Sequence, residues 1–127
     1  MKLGYTILYV EDVEKSISFY QQAFGFNAKF LHESGDFGEL DTGETSLAFS
    51  SRRLMTELKK NPKPHDAMAP CFEIAFVTED VPTALEQAIN AGAKLIQKPE
   101  DMPWGQTVAY VADPDDFLVE ICTPVAA

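Results

Sequence analysis

Tyr5-Thr-Ile-Leu-Tyr-Val-Glu11-Asp12-Val13 is answered 68 positions later by Glu73-Ile-Ala-Phe-Val-Thr-Glu79-Asp80-Val81. Each copy is a short apolar run, then Glu-Asp-Val, then a helix-like stretch that ends at a glycine, Gly25 or Gly92. The second half of each copy aligns at an offset of 72, Asp41 to Phe49 against Asp113 to Ile121. An internal repeat decides architecture before any single residue does, because each copy must be the same supersecondary unit.

Working outward from the first copy, residues 3–10 read as a strand of mostly apolar residues on both faces. Asp12 stands where an N-cap belongs, its carboxylate able to accept from free amides of the first helical turn. Val13, Ile17, Tyr20 and Phe24 follow at helical spacing, and Gly25 supplies the left-handed stop. Segments 26–33, 36–42 and 45–51 then read as strands joined by turns at Ser34-Gly35 and Thr42-Gly43. The second copy repeats the order: a strand at 71–78, a cap at Asp80, and a helix carrying Val81, Leu85, Ala88 and Ile89. Strands are expected near 93–98, 106–112 and 117–123, the last two joined by Asp113-Pro114-Asp115-Asp116. The fold class is therefore α+β, as two tandem βαβββ modules: module 1 at about 1–51, a connector at 52–70, and module 2 at about 71–124. The whole of 1–127 makes one domain's worth of chain.

The connector holds five of the ten basic residues and three prolines, with a short helix expected around Leu54–Lys60. Its His65 is expected to be exposed. Net charge is −10, and it is uneven: −1 through Pro64 and −9 from His65 onward. Such a surface repels phosphates, so nucleic acid is excluded as a partner, and a cationic small molecule is favoured. No apolar run reaches membrane-spanning length, and Met1-Lys2-Leu3-Gly4 has no leader-like pattern, so a cytoplasmic protein without a membrane partner is expected.

The two modules, with Glu-Asp-Val entering each helix and Asp113-Pro-Asp-Asp-Phe117-Leu-Val-Glu120-Ile121 closing the chain, resemble the vicinal oxygen chelate superfamily. That group includes glyoxalase I, extradiol dioxygenases and bleomycin-resistance proteins. Phe19-Tyr20, Gly25-Phe26 and Pro103-Trp104-Gly105 fit its phrasing. The resemblance implies curled half-barrel sheets around a cavity, pairing within a chain or across a homodimer. It also implies metal ligands on the first and last strands of the modules. Carried through the offsets, those positions are Tyr5 and Glu73, Ala48 and Glu120. Of these only Glu73 and Glu120 are ordinary hard-metal ligands. Two carboxylates hold Mg²⁺ or Mn²⁺ weakly, whereas tight Zn²⁺ or Ni²⁺ binding normally requires imidazole.

The expected function is accordingly small-molecule binding of the bleomycin-resistance type, with no cofactor or at most a weakly bound divalent metal at Glu73 and Glu120. The alternative is a metal-dependent lyase, isomerase or dioxygenase of the glyoxalase kind. Glu73 and Glu120 are the candidate catalytic pair; a cationic ligand, a metal or a shared proton would each suit them, as would retention from an ancestral site. Tyr5, Ala48, His32 and Trp104 are the candidate ligand-binding residues. Trp104 is read as a lid that stacks on a planar ligand, or as a plug at a dimer interface. Cys71 and Cys122 are expected to be two buried thiols too far apart to bridge.

Overall fold

The computed structural model describes residues 1–125 and divides into two compact units, Met1–Pro64 and His65 onward. Unit 1 contains β1 (Tyr5–Val10), α1 (Val13–Phe24), β2 (Asn27–Leu31), β3 (Phe37–Asp41), β4 (Ser46–Ser51) and α2 (Arg52–Glu57). Unit 2 contains β5 (Ile74–Val77), α3 (Val81–Asn90), β6 (Lys94–Asp101), β7 (Thr107–Ala112) and β8 (Leu118–Cys122). The sheets have the same plan, β1-β4-β3-β2 and β5-β8-β7-β6. In each, the first and last strands of the module lie parallel at one edge and the remaining pairs are antiparallel. No helix among the described residues is long and apolar enough to cross a membrane.

The helices begin and end where local chemistry requires. Asp12 accepts from the Lys15 amide at 3.1 Å, and Gly25 closes α1 in the left-handed region at φ 77°. Asp80 repeats the cap on Thr83, and Pro82 falls in the first turn, where no intrahelical donor is needed. One face of α1 buries Val13, Ile17, Tyr20 and Ala23 against the sheet of unit 1. That contact is close at Gly38 on β3. A Cβ there would collide with the Ile17 Cδ1 and stand 3.2 Å from both the Val13 Cγ1 and the Phe30 carbonyl oxygen. A side chain at 38 would thus force at least the tip of Ile17 to shift, and glycine lets the helix approach without that adjustment.

The strand register repeats with the sequence. Ile7 pairs with Ala48 and Ala75 with Glu120, so the offsets of 68 and 72 bring matched residues to matched places. Boundaries differ from expectation in three instructive ways. β5 starts at Ile74 rather than 71, because the Phe117 backbone is spent on the turn before β8: its N–H donates to Asp113 Oδ1 and its carbonyl accepts from the Asp113 N–H. Residues 71–73 are left with no ladder partner. β6 runs on to Asp101, past Pro99, because it is an edge strand and the proline sits within a register shift between Gln97 and Glu100. α2 begins at Arg52 rather than near 54, since the Ser51 hydroxyl accepts from the Leu54 amide at 3.0 Å.

Two single-residue expectations are corrected. His65 is not exposed: its ring stacks on Phe117 with centroids 4.7 Å apart, and its Nδ1 lies 3.1 Å from the Asp116 carbonyl. Of the two free thiols only Cys122 is buried; Cys71 is exposed, since it precedes the shortened β5.

Candidate functional site

Glu120 lies on β8 with Ala75 of β5 opposite on one side and Tyr110 of β7 on the other. Glu73, one residue before β5, lies close enough to share hydrogen bonds with both Glu120 and Tyr110. The Tyr110 hydroxyl donates to Glu120 Oε1 at 2.7 Å. Neither carboxylate takes part in an ion pair among the described residues.

The electrostatics follow from this crowding. Glu73 is held above the ordinary carboxylate range, first by the partial covering of its carboxyl end and second by the negative charge of Glu120; its hydrogen bond with Tyr110 opposes the shift. Burial and the two carboxylates push the Tyr110 hydroxyl upward, so it stays protonated and remains a donor. The Cys122 thiol beneath them is pushed up to about 11, burial first and the Glu120 hydrogen bond second. These shifts carry a stability consequence. As pH rises from 4.5 through the raised value of Glu73, the unfolded chain loses its proton before the native one, and native stability declines. Glu73→Gln removes that decline. Its stability relative to the wild type should therefore rise with pH across this window, read from urea midpoints at a series of pH values.

A cavity of about 250 Å³ opens beside Glu120. Gln97 and Glu100 of β6, Met102 and Trp104 of the following turn, and Tyr110 of β7 form its walls. Trp104 is 57% exposed, on a turn closed by Met102 N–H donating to the Gln106 carbonyl at 2.7 Å and by Gly105 at φ 86°. Its indole N–H donates to Gln106 Oε1 at 2.7 Å, and the Gln106 amide donates to the Thr123 carbonyl at 3.0 Å.

Unit 2 thus gathers Glu73, Glu120 and Trp104 around Tyr110. The other sequence candidates belong to unit 1. Tyr5 is 55% exposed on β1, and Ala48 is fully buried on β4 opposite Glu39. His32 directly follows β2, where its Nδ1 accepts from the Ser34 amide at 3.1 Å and caps its own turn. Tyr110, Gln97, Glu100 and Gln106 were not singled out by the sequence. Counting back across the Asp113–Asp116 turn would set Tyr110 opposite Val119; it faces Glu120 because the loop also takes in Phe117, with Ala112 pairing Leu118.

The donor set fits a tightly held divalent ion poorly. No group of three or more His, Cys, Asp or Glu side chains able to hold a metal occurs among the described residues. One Glu120 oxygen already accepts from Tyr110, whose hydroxyl does not readily ionise.

Comparison with known proteins sets this geometry in a family. The model described as the Glyoxalase/Bleomycin resistance protein/Dioxygenase superfamily matches residues 2–121. The uncharacterized protein YraH of Bacillus subtilis (strain 168) is 33% identical over 95% of this chain and 97% of its own length. A probable lactoylglutathione lyase of Synechocystis is 31% identical over 95% of this chain and 94% of its own. A glyoxalase-related enzyme from Fulvimarina pelagi, 22% identical, superposes with a TM-score of 0.84 over 98% of this chain and 88% of its own, which shows the shared fold. With its two βαβββ half-barrel modules and a profile match over nearly its full length, the chain belongs to the glyoxalase/bleomycin resistance protein/dioxygenase superfamily.

Proposed function

We propose that this protein binds a small organic molecule, without metal-dependent chemistry, in the unit 2 cavity between Trp104 and Glu120. The observation that carries the reading is the composition of that cavity: the exposed Trp104 indole and the Glu120 carboxylate both line it, together with apolar Met102 and Val108. An apolar pocket with a few polar groups is the ordinary form of a small-molecule site. The volume, about 250 Å³, suits a compact molecule or one ring system of a larger one.

Trp104 is the only tryptophan, so its emission reports occupancy directly. In chelator-treated protein, a saturating organic ligand is expected to quench that emission and raise the unfolding temperature. The gain is about 2.7 kcal/mol at a hundredfold excess over Kd. Mn²⁺, Ni²⁺ and Zn²⁺ are expected to leave both unchanged. Recovery of about one of these ions per chain, with binding lost on Glu73→Gln or Glu120→Gln, would sink the metal-free reading.

A second reading is supported by the names of several relatives. The Synechocystis protein, 31% identical, is described as a probable lactoylglutathione lyase, and a metal-dependent lyase reaction is its counterpart here. The same metal titration separates the two.

A further inference from the structure

The cavity's fixed hydrogen-bond donors are both spent inside the protein. The Trp104 N–H is committed to Gln106 Oε1 at 2.7 Å, and the Tyr110 O–H to Glu120 Oε1 at 2.7 Å. The remaining polar and aromatic lining is the Trp104 indole with its N–H already bound, the Glu100 and Glu120 carboxylates, and the adaptable amide of Gln97. A wall that offers a flat π-face and acceptors is complementary to a flat ring carrying N–H donors.

We propose that Gln106 is the positioning residue of this site, clamping the Trp104 indole by its N–H, and that the ligand is a planar aromatic group bearing N–H donors, such as an aromatic amine or amidine. The inference rests on the binding reading above and adds the class of ligand. Gln106 can act this way because it is itself anchored: its amide donates to the Thr123 carbonyl at 3.0 Å, while the Thr107 N–H donates to the Thr123 hydroxyl at 2.9 Å. The turn bearing Trp104 is tied by side chain to the segment following β8. An indole held at its nitrogen presents its face and does not rotate to offer a donor.

The test uses two probes of the same shape, 1-aminoisoquinoline, which carries N–H donors, and 1-methoxyisoquinoline, which has only acceptors. Quenching of Trp104 in the wild-type protein is expected to show the amino compound bound roughly tenfold more tightly, about the worth of one charge-assisted hydrogen bond. Gln106→Met keeps the side-chain length and removes the acceptor. It should lower the anisotropy of Trp104 emission before any probe is added, and narrow the preference, because the freed N–H can now donate to the methoxy oxygen. Gln106→Glu retains the acceptor for the indole but loses the amide that donates to the Thr123 carbonyl, so it should restore both in part, an outcome that a merely space-filling role would not produce. Equal binding of the two probes by the wild-type protein overturns the ligand class and leaves the binding reading standing. Failure of both probes to quench Trp104 overturns the ligand class and the binding reading together. Unchanged anisotropy in a folded Gln106→Met protein overturns the positioning role.

Discussion

Phe49→Ala should destabilise the protein by about 3–5 kcal/mol, the largest effect expected of any single substitution considered for this chain. Phe49 is 0% exposed on β4, its ring 5.3 Å from that of Tyr20 on α1, and its backbone lies between Leu8 of β1 and Gly38 of β3. Truncation would remove the ring that joins helix to sheet and leave a cavity. The neighbouring backbone is fixed by ladders on both sides, and Gly38 has no side chain to move into the gap. Phe49→Leu retains most of the volume and should cost about 1–2 kcal/mol. Urea unfolding followed by circular dichroism measures both. A loss for the alanine variant no larger than that for leucine would show that the site collapses freely and that the ring does not anchor α1.

Trp104→Ala should weaken binding of 1-aminoisoquinoline by about 10- to 100-fold while leaving stability close to that of the wild type, as expected of an aromatic anchor in a binding pocket. The indole is more than half exposed, so little of the fold depends on it, yet it forms a wall of the cavity. Because the substitution removes the fluorescent reporter, calorimetric titration is the measurement. A change under about threefold would move the binding energy away from the indole and onto the carboxylate side of the cavity. A large loss of stability would instead mark Trp104 as part of the fold.

Repetition made the architecture legible, and single residues did not. A helix or strand boundary read alone is uncertain, but two copies at fixed offsets constrain one another, and the pairs Ile7–Ala48 and Ala75–Glu120 show that alignment carried through to hydrogen-bonded register. The carboxylate pair was legible for the same reason. Tyr110 escaped because its partnership with Glu120 runs across an antiparallel hairpin, where proximity depends on the turn rather than on a repeat offset. Gln106 escaped because its role lies in the hydrogen bonds of its amide, which no spacing encodes. His65 was misplaced because composition marked the connector as polar, whereas stacking on Phe117 covers its ring.

The two thiols, unlike in their surroundings, make the chain chemically addressable. Cys122 is buried, and with its acidity pushed to about 11 it holds almost no thiolate at neutral pH. Cys71 lies open to solvent two residues before Glu73. An alkylating dye or spin label therefore has one native point of attachment on this sequence, on the strand path that leads to the carboxylate pair. Distances to that point could be followed without first removing or adding a cysteine.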